Sequence, residues 1–259
     1  MTCPDCDPFH RIREVLNYDR PWSLYALGDL ASAELVHCEW RFTSDDSPAV
    51  TLFYRAFDPP VFFATGSATA LERLLDQAPL PPSLYLHIRP EILALVSERY
   101  RRVTTKMMQR MILQEPALPD FAGAEMIAAK NLNELVELYN CRDGQEKEGT
   151  FFAPVQVAER VYFGIRDNGL LVAAAGTHLI NRLESVAAVG NVFCLPDYRG
   201  KGLGARVTSA VVNTLIKEGI QTIGLNVSPE NPATKLYRRL GFREACSYVE
   251  GIASGGASS

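Results

Sequence analysis

The chain of 259 residues is long enough for one large domain or two ordinary ones, and 47% hydrophobic residues is typical of a globular protein. Its formal net charge is -4 and neither half has an excess of basic residues, which argues against a nucleic-acid partner. The sequence has no basic segment followed by an apolar one at its start and no apolar run of about 18 residues. We therefore expect no membrane partner and a cytoplasmic location, with a monomer and a homodimer both open.

The six cysteines are few and irregularly spaced, which predicts reduced thiols rather than a disulfide framework. Cys3, Cys6 and His10 have part of a metal-ligand spacing. A structural zinc site needs four ligands, and the sequence has no second pair at a suitable spacing. We therefore expect no metal.

The first half alternates short helical and strand patterns. Helical spacing begins at Pro8 and again at Arg20, and strand patterns at residues 34–65 predict a small antiparallel meander. Ser67 is predicted to cap the next helix, and a strand follows at Leu84–Ile88. This half is predicted to be an α/β unit.

A linker is predicted at residues 115–120, E-P-A-L-P-D, because it has two prolines and no apolar periodicity. The predicted division is an accessory α/β domain at residues 1–118, a second domain at 119–250, and a disordered tail at 251–259. The tail is rich in glycine and serine, a composition that favours disorder.

The second half begins with a short strand at Glu125 and a helix from Asn131, followed by a polar loop at residues 142–150 and a helix at Pro154–Arg160. Three strand patterns then follow in hairpin order. After a glycine-rich loop come four further elements: a helix at Gly204–Lys217, a strand at Thr222–Val227, a helix at Ala233–Leu240 and a strand at Phe242–Val249.

The glycine-rich loop reads R-G-K-G-L-G-A from Arg199 to Ala205 and lies between a strand and a helix. The first backbone N–H groups of a helix have no intrahelical partner, and the helix dipole is positive there. Glycines let a bulky anion approach the main chain, so the loop predicts a pyrophosphate site. Glycines that only permit close strand-helix packing are the bland alternative.

Two nucleotide signatures fit this loop poorly. The letters satisfy G-x-G-x-x-A, but a dinucleotide domain needs the loop after the first strand of a parallel unit, whereas three antiparallel strands precede it here. The Walker A pattern fails because no Gly-Lys-Ser/Thr closes the loop. A nicotinamide enzyme therefore stays only as a minor alternative.

Three features together resemble the GNAT superfamily of N-acetyltransferases: R-x-x-G-x-G from Arg199, L-N-V-S-P-E-N from Leu225, and L-Y-R-R-L-G-F from Leu236. The resemblance covers about Ala124 to Val249. It implies an α+β fold with a mixed, mostly antiparallel sheet flanked by helices in three layers, preceded by a smaller α/β domain. That first domain is either a degenerate copy of the same fold or an accessory domain.

The resemblance also implies an acyl donor, acetyl-CoA by default, and a primary amine acceptor on a small molecule or peptide. Tyr237 would donate a proton to the departing thiolate. The residues implied to bind coenzyme A are Val192, Phe193 and Cys194 through their backbone, together with Arg199, Gly200, Lys201, Gly202, Leu203, Gly204, Ala205 and Asn231. The N-P-A-T-K-L-Y spacing is one residue shorter than the family pattern, which puts the role of Asn231 in doubt.

An amine must lose a proton before or as it attacks a thioester, so a base is needed. Some relatives carry a glutamate where this chain has Asn226. Glu184 and His178 are the candidates that the sequence offers, although a solvated glutamate and a hydrogen-bonded strand histidine are ordinary alternatives. The predicted function is an acyl-CoA-dependent N-acyltransferase; the alternative is a module that binds coenzyme A without turnover.

Overall fold

The computed structural model describes residues 8–43, 46–128, 131–141 and 160–256. The predicted loop at 142–150 and the helix predicted from Pro154 lie outside the described residues. The helices are α1 Pro8–Tyr18, α2 Arg20–Gly28, α3 Ser32–Leu35, α4 Ala68–Leu75, α5 Leu93–Ser97, α6 Leu132–Asn140, α7 Leu203–Lys217 and α8 Ala233–Arg239. The strands are β1 Cys38–Phe42, β2 Val50–Tyr54, β3 Val61–Thr65, β4 Ser83–Ile88, β5 Tyr100–Leu113, β6 Glu125–Met126, β7 Tyr162–Asp167, β8 Leu170–Asn181, β9 Val186–Cys194, β10 Thr222–Val227 and β11 Phe242–Gly256.

The chain forms two compact units. Unit 1 consists of Met1–Arg110, Val227–Glu230 and Glu244–Ser259, and unit 2 of Met111–Asn226 and Asn231–Arg243. This division differs from the predicted one, because the last strand belongs to unit 1. β11 also continues through residues 251–256, where the sequence predicts a disordered tail. The reason is non-local: β11 pairs with β4 from Val249 opposite Ile88 to Ser254 opposite Ser83.

Unit 1 is built on the strand order β1-β2-β3-β4-β11-β5. β1, β2 and β3 are antiparallel neighbours, which confirms the predicted meander. β3 and β4 run parallel, because the crossover through α4 brings the chain back to the same edge. Helix α4 begins at the predicted cap Ser67 and buries one apolar face, which includes Leu71 and Leu74, in the core of this unit.

Unit 2 has the strand order β10-β9-β8-β7-β6. β6 to β9 are antiparallel neighbours, and β10 lies parallel to β9 after the crossover through α7. Helices α6 and α7 both pack on this sheet. Apolar residues at three- and four-residue spacing, Val207, Val211 and Leu215, form the buried face of α7. The predicted α+β fold, with a mixed, mostly antiparallel sheet flanked by helices, is confirmed.

Candidate active site

β9 and β10, the parallel pair in unit 2, are hydrogen-bonded over a short stretch only and are no longer paired on the side of the glycine loop. β9 and β10 pair at three positions, Val186 opposite Thr222, Ala187 opposite Ile223 and Ala188 opposite Gly224. In the described residues their pairing ends there, while β9 continues to Cys194 and stays paired with β8. The second half of β9 therefore offers backbone groups that no strand on its β10 side uses.

A β-bulge lies in this second half of β9. Asn191 and Val192 lie opposite the single residue Ala175, because Ala174 pairs with Phe193 and Gly176 pairs with Gly190. Asn191 has a left-handed backbone, with φ at 52°, which asparagine tolerates better than most residues. The bulge bends the strand just before the loop and turns the backbone of Val192 out of the regular ladder.

Asn191 is fixed by two tyrosines from different elements. The Tyr139 hydroxyl on α6 donates to the Asn191 carbonyl oxygen at 2.7 Å. The Asn191 side-chain amide donates to the Tyr162 hydroxyl on β7 at 3.0 Å, and Asn191 is 6% exposed. The sequence prediction did not include Asn191 as a site residue. Its signal was a lone asparagine in an otherwise apolar strand, V-G-N-V-F.

The glycine loop leads directly into an uncapped helix. Gly200 and Gly202 have φ values of 75° and 79°, a conformation that disfavours residues with a β-carbon. Gly202 occupies the N-cap position of α7, and no side chain caps the helix there. The N–H groups of Leu203, Gly204 and Ala205 fall in the first turn, where intrahelical partners do not exist. These N–H groups can bind an anion.

Three elements converge at Gly204. A β-carbon at this residue would lie 3.6 Å from Leu236 Cδ2 on α8 and 3.7 Å from Cys194 Sγ at the end of β9. The start of α7, the end of β9 and the helix that carries Tyr237 therefore meet at one place. Burial raises the pKa of Cys194 to about 11, although Arg199 and the Gly204 N–H oppose this shift. A raised pKa favours the protonated thiol near neutral pH, which disfavours a role as nucleophile.

Two cations lie on the loop. Arg199 Nε donates to the Cys194 carbonyl oxygen at 3.3 Å, and its guanidinium lies 5.7 Å from the centre of the Phe193 ring. The Lys201 ammonium lies 4.8 Å from the centre of the Tyr198 ring. Both basic side chains belong to exposed residues, so they add positive charge beside the uncapped helix start without occupying the space in front of it.

Tyr237 and Asn231 are both on the α8 side of this group. Tyr237 is 8% exposed, and its ring packs edge to face on Phe242 with 6.2 Å between the ring centres. Asn231 forms a side-chain turn just before α8, whose N-cap is Pro232: its Oδ1 accepts from the Ala233 N–H at 2.9 Å, and its carbonyl oxygen accepts from the Thr234 hydroxyl at 2.8 Å. With Oδ1 engaged in this turn, a contact from Asn231 to coenzyme A stays a prediction that rests on its amide N–H groups.

The structure does not bring Glu184 to this group. Glu184 lies in the turn between β8 and β9, where its N–H donates to Asn181 Oδ1 at 3.2 Å. Along β9, Val186 and Val192 are six residues apart, which is about 20 Å at the rise of a strand. A base must come within hydrogen-bond reach of the amine, so this position does not support a catalytic role for Glu184, which stays a prediction.

His178, the second candidate base, lies closer to the bulge. Its ring packs on Gly190, where a β-carbon would lie 2.3 Å from the ring nitrogen Nε2. Gly190 directly precedes Asn191, so the absence of a side chain at Gly190 makes room for the imidazole next to the bulge. Of the two candidates, His178 is the one near the open half of β9.

The described residues contain no group of three or more His, Cys, Asp or Glu side chains that could hold a metal ion. Cys3 and Cys6 lie outside the described residues, and His10 Nε2 lies 3.5 Å from Glu14. Among the helices that the structure describes, none has the length and apolar character needed to cross a membrane.

Part of the chain is similar in sequence to a known protein family and to curated proteins. The model of the Acetyltransferase (GNAT) family matches residues 129–242. The [Ribosomal protein bS18]-alanine N-acetyltransferase of Escherichia coli (strain K12) is 35% identical over 95 residues, which cover 36% of this chain and 62% of that protein. The chain thus spans about three fifths of the length of this curated relative.

Two solved structures are similar over nearly the whole chain. A GNAT-family protein from Novosphingobium aromaticivorans has a TM-score of 0.62 at 21% identity, covering 92% of this chain and all of that one. The GCN5-related N-acetyltransferase from Kribbella flavida has a TM-score of 0.60 at 19% identity, covering 92% of this chain and 96% of that one. At these identities the likeness concerns the fold. In sequence, it is residues 129–242 that match the GNAT family.

Proposed function

We propose that this protein is an acyl-CoA-dependent N-acyltransferase that moves an acetyl group from acetyl-CoA directly to a primary amine. The observation that carries the proposal is the convergence at Gly204. There an uncapped helix N-terminus, the unpaired edge of β9 and the helix bearing Tyr237 come within a few ångströms of one another. A helix terminus suits a pyrophosphate, and a free strand edge suits the amides of pantetheine.

The loop would hold the pyrophosphate. The first-turn N–H groups of Leu203, Gly204 and Ala205 would bind it, although the Gly204 N–H also interacts with the Cys194 thiol, and Arg199 and Lys201 add charge beside them. No described atom lies within 4 Å of a β-carbon built on Gly200 or Gly202, so the approach to this backbone is open. Residues 192–194 of β9 would then bond the pantetheine arm through their main chain, as a neighbouring strand would.

The chemistry needs one acid and one base. The amine nitrogen attacks the thioester carbonyl carbon, and the carbon–sulfur bond breaks with its electron pair on sulfur. Tyr237 would donate its hydroxyl proton to that thiolate, and His178 would accept the proton that the amine loses. Transfer is direct, because the protonated Cys194 thiol favours no acyl-enzyme.

The acceptor is a primary amine of a small molecule or peptide. The Escherichia coli relative is named for an alanine of a ribosomal protein, which favours the amine of a peptide. A cytoplasmic enzyme would meet both acetyl-CoA and such amines.

The first experiment separates binding from turnover. Coenzyme A and acetyl-CoA are expected to raise the Tm, because a ligand that binds only the folded state stabilises it, by about 2.7 kcal/mol at 100 times its Kd. A panel of amines, including peptides with free N-termini, is then tested for thiol release from acetyl-CoA. Binding without release by any amine would identify a coenzyme A binding module, and absence of any Tm shift would overturn the proposal. NAD, which lacks the pantetheine arm, is the negative control.

A further inference from the structure

Unit 1 contains a pocket that the acyltransferase reaction does not use. β3 and β4 run parallel, and they pair at only three positions, from Val61 opposite Tyr85 to Phe63 opposite His87. A pocket of about 500 Å³ lies where these two strands end, and Thr65 and Arg89 are among its lining residues. Ligands in α/β sheets bind outside the carboxyl ends of parallel strands, at such a place.

One side of the pocket presents a fixed guanidinium. Arg89 Nη2 donates to Asp19, and the guanidinium carbon lies 4.9 Å from the centre of the Trp22 ring. Asp19 is itself held in place, because its other carboxylate oxygen accepts from the Trp22 N–H at 3.1 Å. In the described chain, Arg89 Nε and Nη1 make no further recorded hydrogen bond. Preorganised donors of this kind suit a carboxylate.

The other charged lining residues are Arg11 and Glu91, together with Glu14 and Asp19, the two carboxylates that pair with the guanidinium groups. Arg11 Nη1 donates to Glu14 at 2.9 Å, and Arg11 is a lining residue of the pocket. Glu91 lies in the turn that follows Arg89 and Pro90, and within the described residues it has no ion-pair partner. The pocket therefore offers donors for an anionic group and, close by, one carboxylate that can accept a cationic one.

The remaining wall is apolar. Val15 on α1, Pro48 and the buried Ile92 line the pocket between these charged groups. An apolar wall next to opposite charges matches a small zwitterion with a hydrocarbon side chain. Arg11 and Arg89 are each paired with a carboxylate of the lining. A purely anionic ligand would leave Glu91 without a partner, and a purely cationic one would not use Nε and Nη1 of Arg89.

We propose that this pocket binds a free α-amino acid with an apolar side chain. Arg89, with Arg11, donates hydrogen bonds to its carboxylate, Glu91 accepts hydrogen bonds from its ammonium group, and Val15 and Ile92 contact its side chain. All the lining residues of this site belong to unit 1.

The test is calorimetric titration of the full chain with L-leucine in the absence of acetyl-CoA, so that no turnover occurs. Two analogues of leucine test the contribution of each charged group to binding: 4-methylpentanoate lacks the ammonium group, and 3-methylbutan-1-amine lacks the carboxylate. Leucine is expected to bind at least about tenfold more tightly than either, because each removes a charge-assisted hydrogen bond. Equal binding of all three, or no heat from leucine up to its solubility, would overturn the proposal.

Three variants locate the site. Glu91→Gln removes one charge and should weaken leucine binding about tenfold, while Val15→Trp fills the pocket without changing its charges and should abolish binding. Glu72→Gln makes the same charge change on the exposed side of α4, away from the pocket, and should bind leucine like the parent. Leucine binding that survives both Glu91→Gln and Val15→Trp would place the ligand elsewhere. A failure here leaves the acyltransferase proposal untouched, since that one depends on the coenzyme A shift and thiol release.

Discussion

Each unit contains an antiparallel meander followed by a parallel strand pair, but the two units form different ligand sites. In each, a parallel pair is joined through a crossover helix and stays paired for three residues, β3 with β4 and β9 with β10. The difference lies at the start of the crossover helix. Ser67 caps α4, because its hydroxyl accepts the Ala70 N–H at 3.3 Å, whereas Gly202 leaves α7 without a side-chain cap. The residue before the helix, rather than the sheet, decides whether an anion finds free N–H groups.

The order of elements supports a common origin for the two arrangements. The first half of the chain has helices, then three strands (β1 to β3), and then a helix, a strand, a helix and a strand (α4, β4, α5 and β5). The second half repeats this order with α6, then β7 to β9, and then α7, β10, α8 and β11. We propose on this ground that the first unit is a degenerate GNAT-like copy. The glycine loop that it lacks is the part that would bind coenzyme A.

The largest expected effect comes from placing a carboxylate in the uncapped helix start. Gly202→Glu should weaken coenzyme A binding at least about 100-fold, because like charges in one site cost several kcal/mol. Titration by thermal shift measures it. Gly219→Glu is the matched control, since Gly219 has φ of 80°, close to the 79° of Gly202, and open space around a β-carbon. Equal loss in both variants would attribute the effect to backbone strain.

The second effect concerns the acid that unit 2 carries on α8. Tyr237→Phe keeps the ring on Phe242 but removes the hydroxyl, so kcat should fall about 100-fold with little change in the KM for acetyl-CoA. Steady-state thiol release gives both constants. Tyr198→Phe, which loses only a hydrogen bond to Asp167 on the same unit, should retain its kcat. An unchanged kcat in Tyr237→Phe would mean that this tyrosine serves only in packing and not as the acid.

The third effect tests the bulge, which β3 in unit 1 lacks among its described residues. Asn191→Ala should raise the KM for acetyl-CoA about tenfold, because a left-handed alanine costs about 1 to 2 kcal/mol and the bulge will relax. Asn191→Gly accepts the same backbone conformation and should recover most of that KM. A glycine variant as weak as the alanine variant would show that the side chain, rather than the backbone, is what matters.

The smallest effect lies at the cap of unit 1. Ser67→Ala should lower the free energy of unfolding by about 1 kcal/mol, and Ser67→Asp, which can still cap α4, should not. Urea denaturation measures the loss. Neither variant should alter the Tm shift caused by coenzyme A. A change in that shift would contradict the inference that coenzyme A binds at the start of α7 and not at the start of α4.

The sequence predicted the site better where its geometry is local. Gly200, Gly202 and the helix behind them follow from spacing and from backbone chemistry, so the loop could be placed without coordinates. Glu184 lies in the turn that precedes β9, away from the glycine loop, and its catalytic role stays a prediction, because periodicity does not show at which end of a strand a residue meets the cofactor. The bulge at Asn191 was missed because its cause is the two tyrosine hydroxyls, which come from elements distant in sequence.

The tail shows the same limit from another side. Glycine and serine at residues 251–256 are typical of disorder, yet pairing with β4 orders this segment. Composition indicates only the local preference of a segment, so pairing with a strand that is distant in sequence cannot be predicted from it. The same holds for the pocket in unit 1, whose lining comes from four separated stretches of the chain.

The long reach of β11 has a consequence for biosynthesis. Tyr85 on β4 donates a hydrogen bond to Glu250 on β11, 165 positions later in the chain. Unit 1 therefore cannot complete its sheet on the ribosome until most of unit 2 has been translated, although its own residues emerge first. Contacts of such separation slow folding, and the waiting edge of β4 is a surface that a chaperone would have to cover.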